Sequence, residues 1–220
     1  YGATPTFSNA QSVVGDLSMH VNPSGTFSYV HFQGDGQSEI RFDIYVYFTN
    51  MLSSNRAFVN WLDGTTKIGD LRIQNGAFQL RDNNNGRWNS DHQAQTGQWY
   101  RLSIRCAPGS ATGHQCRLFY GANLFGTTPD EDSGGVTATL AGASSVNAIR
   151  LGSIASDTTD FYLDYLITDD SDWPAPAQEP QEPVGGGAWF YDTGSEWVDV
   201  TDSLHLDTGS AWEQIVMNGE

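Results

Sequence analysis

Apolar and polar residues alternate along most of the chain up to Asp172. The clearest run is 39–48. One face of this run carries the apolar residues Ile40, Phe42, Ile44, Val46 and Phe48. The other face carries the polar and aromatic residues Glu39, Arg41, Asp43, Tyr45 and Tyr47. Because successive side chains of a strand point to opposite faces, this period of two predicts a strand with one buried face.

Shorter runs of the same kind recur along the chain. They are 57–62, 70–73, 77–81, 99–106, 116–120, 148–152 and 161–168. Two of them flank Asn75-Gly76, a pair that tolerates the positive φ angles of a type I′ hairpin turn. No segment keeps a helical period of 3.6. The pattern therefore predicts an all-β fold, a two-sheet antiparallel jelly-roll sandwich.

The composition changes abruptly at Trp173. The segment 173–187 is rich in proline and ends in three glycines, which predicts a linker between a domain at 1–172 and a tail at 188–220. The tail is a short β-repeat that contains D-T-G-S-x-W twice, at 192–197 and 207–212. A tail this short buries little surface alone. We therefore expect Trp189, Trp197 and Trp212 to make assembly contacts with a partner or a second copy.

The charge balance limits the possible partners. Ten basic and 26 acidic residues give a net charge of −16, and the segment from Trp173 onward contains no basic residue. Nucleic acid is excluded as a partner, because no stripe of lysine and arginine is present to neutralise phosphates. No apolar run approaches the roughly 20 residues of a membrane span, so membrane insertion is not expected.

Several motifs resemble the LamG-like, concanavalin A-like jelly rolls. The segments 98–104 and 116–121 resemble the central strand-loop-strand of that family. Ile149–Gly152 resembles its I-x-h-G signature, and 161–167 resembles its closing strand. The D-T-G-S-x-W tail is similar to repeats in structural proteins of actinobacterial bacteriophages. This resemblance implies a non-enzymatic virion component, a minor tail or capsid decoration protein, exposed on the virion surface or otherwise extracellular. Its partners would be other virion proteins or copies of itself.

The family also contains glycoside hydrolases and polysaccharide lyases, so an enzyme is the third possible function, after a virion component and a glycan-binding module. The E-x-D-x-x-E strand of the laminarinase-like hydrolases is absent, and Arg41 stands between Glu39 and Asp43. The Q-I-H and late tyrosine motifs of the alginate-lyase branch are also absent, and the five histidines are scattered. No catalytic residue is therefore assigned.

Glycan binding is the second alternative. The polar and aromatic face of 39–48, with two tryptophans nearby, could stack on sugar rings and form hydrogen bonds with them. The candidate residues are Glu39, Arg41, Asp43, Tyr45, Tyr47, Trp61 and Trp88. The alternatives are a ladder of ion pairs across the strands and tryptophans that belong to the core.

Two further sites follow from local pattern and from the family. Cys106 and Cys116 lie on the same face of two strands at the mouth of one hairpin, which permits either a disulfide or two reduced core residues. The resemblance also implies a structural calcium ion, with Asp164 on the closing strand as a ligand. A solvated or arginine-paired carboxylate is the alternative for Asp164. No other cofactor is required.

Overall fold

A computed structural model describes residues 5–13, 17–22, 28–52, 55–82, 87–110, 112–136, 143–153, 159–169 and 172–177. It also describes the backbone of 190–192, 197–199, 204–207 and 212–215. Thirteen strands of the first unit form two sheets in which each pairing between strands is antiparallel. This arrangement confirms the predicted all-β sandwich.

The strands are numbered in chain order. The seven-stranded sheet consists, in spatial order, of β1 (Thr6–Ser8), β2 (Ser18–Val21), β13 (Asp160–Asp169), β4 (Ile40–Asn50), β9 (Trp99–Cys106), β10 (His114–Tyr120) and β11 (Glu131–Asp132). The six-stranded sheet consists of β3 (Ser28–Gln37), β12 (Val146–Ser153), β5 (Arg56–Asp63), β6 (Thr66–Gln74), β7 (Ala77–Asp82) and β8 (Arg87–Gln93). A 3-10 turn, Gly121–Asn123, follows β10.

The core lies between the two sheets and is built on aromatic rings. Phe48 and Phe161 from the seven-stranded sheet meet Phe58 and Phe78 from the six-stranded sheet, with ring centroids 5.8 to 6.4 Å apart. The predicted hairpin at Asn75-Gly76 is present, with φ angles of 52° and 86°. Among the described residues, no helix is long and apolar enough to cross a membrane.

Cys106 and Cys116 are both buried and free. The register places Cys106 opposite His114 and Cys116 opposite Ile104, so the two thiols do not face each other across the hairpin. Of the two alternatives, the structure has the reduced one, in which both residues pack in the core as small apolar side chains.

The chain divides into two compact units, Tyr1–Pro180 and Gln181–Glu220. In the second unit, β14 (Phe190–Asp192) pairs with β15 (Trp197–Asp199), and β16 (Leu204–Asp207) pairs with β17 (Trp212–Ile215). The two hairpins coincide with the two copies of the repeat. Trp189 lies outside the described residues, and no side chain of the tail is described. The assembly contacts of Trp189, Trp197 and Trp212 therefore remain a prediction.

Candidate functional site

The outward face of the seven-stranded sheet, which holds most of the predicted glycan residues, is largely covered. The side chains of Asp43 and Tyr45 are fully buried, and that of Arg101 beside them is 2% exposed. Tyr45 packs with Val13 and Ala177 in a small apolar cluster, which Phe125 borders. Polar groups that the alternation assigned to solvent therefore lie beneath other parts of the chain.

Part of this cover is the start of the predicted linker, Trp173–Ala177, which we call the strap. The Trp173 ring lies 4.0 Å from the guanidinium carbon of Arg117 and 5.9 Å from that of Arg41. The backbone N–H of Ala177 donates a hydrogen bond of 3.1 Å to the hydroxyl of Tyr45. These contacts place the strap in the first unit.

Glu39, at the edge of this face, forms an ion-pair network. Arg105 donates two hydrogen bonds to its carboxylate, at 2.9 and 2.8 Å, and Arg41 Nη2 lies 2.5 Å from Oε1. The hydrogen bonds from Arg105 lower the pKa of Glu39. Tyr47 is half-buried, with its ring 5.4 Å from Trp99 and 6.3 Å from Tyr162. Glu39 and Tyr47 therefore both have neighbours within the sheet.

The two tryptophans predicted to face a sugar are turned towards the core. Trp61 is fully buried between Phe42 and His114, with ring centroids 6.3 and 5.3 Å away. Trp88 is half-buried, lies opposite Leu80 and packs against the core. The prediction of Trp61 as a ligand platform is wrong, because Trp61 shares the inward face of β5 with the core residue Val59 and lies beside Gly69 of β6.

A different polar surface crosses the outward face of the six-stranded sheet. The register joins one residue from each strand into a single row perpendicular to the strands. From β3 to β8 the row is His31, Arg150, Asn60, Asp70, Arg81 and Arg87. Core residues such as Leu71 and Leu80 alternate with these positions, so the row points away from the core. We call it the transverse row.

Asp70 organises the centre of the transverse row. Its carboxylate accepts hydrogen bonds from Arg72 at 2.5 and 2.6 Å and from Lys67 at 2.8 Å, and Arg81 Nη2 lies 3.4 Å away. Burial would raise the pKa of Asp70, but the bonds from Arg72 and Lys67 outweigh it and lower the pKa. The carboxylate is therefore ionised at neutral pH and holds three cations in place.

The flanks of the row are polar as well. Gln79 Nε2 donates to Asn89 Oδ1 at 2.7 Å. Arg150 Nε lies 3.2 Å from His31 Nδ1, and its guanidinium carbon is 5.5 Å from the Tyr29 ring centroid. Arg87 and His31 are exposed, whereas Asn60 and Arg72 are 6% exposed. The row therefore has a packed centre and accessible ends.

Sequence reasoning missed this surface. The signals were the motifs Asp70-Leu-Arg72 and Gln79-Leu-Arg81, which place polar residues at alternate positions on either side of the Asn75-Gly76 turn. Each motif alone indicates only an amphipathic strand. The row becomes visible once the register also brings His31 and Arg150 to the same level.

Asp164 lies beside the N-terminal segment, where the family would place a calcium ligand. Its Oδ2 accepts a hydrogen bond of 2.8 Å from the backbone N–H of Val13, and its Oδ1 accepts one from the N–H of Tyr165. N–H donors therefore engage both oxygens. In the described part of the chain, no three His, Cys, Asp or Glu side chains cluster as a metal site would require. The calcium ion remains a prediction.

Two buried titratable groups should oppose each other in their effect on stability. Burial lowers the pKa of His114 from 6.5 to about 4. As the pH falls, His114 therefore binds a proton in the unfolded chain before it does so in the folded chain, and the free energy of unfolding decreases between pH 6.5 and about 4. Burial raises the pKa of Asp43 from 3.8 to about 6, although a hydrogen bond with Ser103 and the charge of Arg101 pull it down, so there the folded state binds the proton first. Each of these pKa shifts changes the free energy of unfolding by up to about 3 kcal/mol.

We therefore expect a shallow dependence of stability on pH between 4 and 6 for the wild-type chain. Asp43→Asn should make stability fall more steeply with decreasing pH, and His114→Gln should make it fall less or rise. Urea unfolding at several pH values measures both slopes. Parallel curves for the wild type and the two variants would contradict the assignment.

The sequence matches no protein-family model and no curated protein. Solved structures do match. An endo-β-1,4-glucuronan lyase from the fungus Trichoderma reesei aligns with 78% of this chain and 90% of its own, at 12% identity and a TM-score of 0.55. A cellulose-induced protein, Cip1, aligns with 77% of this chain and 86% of its own, at 11% identity and a TM-score of 0.57. These similarities support the predicted concanavalin A-like sandwich. They show no link to a bacteriophage.

One prediction has to be corrected. The sequence was expected to encode a non-enzymatic protein, because no hydrolase or lyase motif was found. A polysaccharide lyase shares the fold over most of its own length, which contradicts that expectation. The absent motifs belong to particular branches of the family and do not exclude an enzyme on this fold.

Proposed function

We propose that the outward face of the six-stranded sheet binds a linear acidic polysaccharide, a chain of sugars that carry carboxylates. The observation that supports this proposal is the transverse row, in which one polar or charged side chain from each of six adjacent strands lies at the same level. With strands about 4.8 Å apart, the row spans roughly 24 Å, enough for several sugar units.

The charge on this face supports an anionic ligand. The row and the two residues that bond Asp70 contain Lys67, Arg72, Arg81, Arg87 and Arg150. These are five of the ten basic residues in a chain with a net charge of −16, and Asp70 is the one carboxylate among them. Arginine binds carboxylates through two parallel hydrogen bonds, and the accessible arginines of the row, Arg81, Arg87 and Arg150, are the ones that can make such contacts with a ligand.

The fold comparison agrees with this class of ligand. One of the matched structures is a lyase of glucuronan, a polymer whose units carry carboxylates. The similarity concerns the fold, and the choice of an acidic ligand for this chain is based on its own arginines. Binding and cleavage are separate outcomes, which the same experiment distinguishes.

Calorimetric titration with glucuronan oligosaccharides tests the proposal. We expect saturable binding that weakens as salt is added, because screening acts on the exposed charge contacts. Cello-oligosaccharides of the same length, which lack the carboxylate, should bind at least tenfold more weakly. Equal affinity for both, or binding that salt does not change, would overturn the proposal. The ultraviolet absorbance of unsaturated ends in the same samples reports cleavage.

A role on a virion surface is a second proposal, in which the chain is a minor tail or capsid decoration component. It rests on the D-T-G-S-x-W repeat at 192–197 and 207–212, whose two copies coincide with two hairpins. The matched structures give it no support. Mass spectrometry of purified particles from the source of this sequence would detect the chain if the proposal is correct.

A further inference from the structure

Within the described part of the chain, the two sheets end in four edge strands, and β3 is the least protected of them. It pairs with β12 alone among the described strands, so its other side offers backbone N–H and C=O groups along ten residues. Proteins protect exposed edges by keeping them short or charged. The edge strand β8 carries Arg87 and Asp91, β11 consists of Glu131 and Asp132, and β1 has three residues. β3 is long, and Asp35 is its one carboxylate.

The large apolar side chains that stay exposed in the described residues gather at this same edge. Phe7 is 76% exposed, Leu17 50%, Phe32 47% and Tyr29 38%. Tyr29 and Phe32 belong to β3, Phe7 belongs to β1, and Leu17 directly precedes β2. Single exposed apolar residues are ordinary on a protein surface, but four at one edge indicate an interaction surface.

The core is open between β3 and the pair formed by β1 and β2. A cleft of about 310 Å³ lies there, and its lining includes Phe7 and Phe32 together with the core residues Ile44 and Leu151. Phe32 points into the sandwich, because it lies opposite the core residue Ile149 in β12. A strand added beside β3 would continue the sheet and cover this side of the core.

We propose that this edge is the interface of a dimer, in which β3 pairs antiparallel with β3 of a second copy and the two six-stranded sheets become one. A second copy supplies a strand for the free side of β3, and its own edge brings the same apolar side chains. The charge also favours this partner. Each copy has a net charge of −16, but β1, β2 and β3 together contain one carboxylate, Asp35, and no lysine or arginine. Contact at this edge therefore brings few like charges together.

The register with β12 selects the part of β3 that pairs. The segment 28–33 follows β12 without interruption, and beyond Gln33 the register shifts. Such an irregularity bends a strand and ends regular pairing. A twofold axis through His31 uses the regular segment. Val30 of each copy then lies opposite Phe32 of the other on the inward face, and the two transverse rows meet at His31 on the outward face.

Sedimentation equilibrium of the full chain, from micromolar to millimolar concentration, tests the dimer. We expect a reversible monomer–dimer equilibrium for the wild type. Phe32→Lys should raise the dissociation constant at least tenfold, because it places a cation in both apolar pairs beside the twofold axis. Gln93→Lys makes the same change in charge at an exposed residue of β8, the opposite edge of the same sheet, and should change the constant less than twofold.

Melting curves establish that both variants are folded. A wild-type chain that stays monomeric over the whole concentration range would overturn the proposal. So would a dimer whose dissociation constant is the same in folded Phe32→Lys as in the wild type, because another surface would then hold it together.

Cysteine cross-linking tests the register independently. Cys106 and Cys116 are buried, so an introduced surface cysteine is the thiol that reacts. His31→Cys should form a disulfide between two copies under mild oxidation, because the two side chains face each other across the twofold axis. Gln33→Cys is the control, since its two copies would lie about 13 Å apart along the strands. Cross-linking of Gln33→Cys in place of His31→Cys, or of neither, would overturn the pairing. Neither experiment uses a polysaccharide, so its outcome is independent of the proposed function.

Discussion

Replacing Gly152 with alanine should destabilise the sandwich by about 4 kcal/mol, one of the largest effects of a single methyl group in this chain. Gly152 has a φ angle of 127°, which side chains rarely adopt. A Cβ atom at this position would lie 2.3 Å from the carbonyl oxygen of Ser28 and 2.7 Å from Cα of Tyr29. Both neighbours are backbone atoms of β3, so the clash can be relieved only by separating β3 from β12.

Gly64→Ala is the matched control. Gly64 also has a positive φ, of 60°, but a Cβ there would meet no atom within 4 Å. The Gly64→Ala substitution should therefore lower the free energy of unfolding by only about 1–2 kcal/mol, from the backbone conformation alone. Chemical unfolding of both variants measures the difference. If Gly152→Ala is no more destabilising than Gly64→Ala, β3 does not approach β12 as closely as described.

Asp70→Asn should destabilise the chain by about 3–5 kcal/mol, because it leaves Arg72, Lys67 and Arg81 without their common anion in a buried setting. The carboxylate has a pKa below its usual value in the folded chain. Its contribution to stability is therefore present at neutral pH and is lost as the pH falls through that lowered pKa. Urea unfolding at neutral and acidic pH measures both effects.

Asp132→Asn provides the comparison for this prediction. Asp132 pairs with Arg117 at 3.1 Å, and both side chains are about a third exposed. An ion pair of this kind is worth about 0–1 kcal/mol, so the same substitution should have little effect there. Equal losses in the two variants would show that Asp70 does not organise a buried cluster.

The strands could be predicted because their signal is local. The alternation over 39–48 corresponds to β4 (Ile40–Asn50), and the Asn75-Gly76 turn lies between β6 and β7 as expected. Each of these features depends on residues close together in sequence. Period-two patterning and turn chemistry are therefore sufficient to find them.

Whether the outward face of each sheet is exposed or covered could not be predicted in the same way. Alternation places Asp43 and Tyr45 opposite the core, but it does not reveal that Ala177, far along the chain, packs over Tyr45. The covering of Tyr45 comes from a long-range contact that a local pattern does not encode. Trp61 is a different case, because it has the same parity as the core residue Val59, so the alternation itself pointed its ring inward.

The transverse row required the register of six strands. His31 and Arg150 are neighbours through the pairing of β3 with β12, and Asn60 joins them through the pairing of β12 with β5. These contacts connect residues far apart in sequence. The basic residues were visible in the composition, but the alignment of Arg81, Arg87 and Arg150 in one row became visible only in the fold.

The most direct test of the acidic-polysaccharide surface compares two double variants with the same change in charge on opposite sheets. Arg81→Gln/Arg87→Gln removes two cations from the transverse row, and Arg105→Gln/Arg117→Gln removes two from the seven-stranded sheet. The measurement is the Kd for glucuronan oligosaccharides at low salt. We predict that affinity falls at least tenfold in the first variant and less than twofold in the second. Equal losses, or a larger loss in the second variant, would contradict the proposed surface.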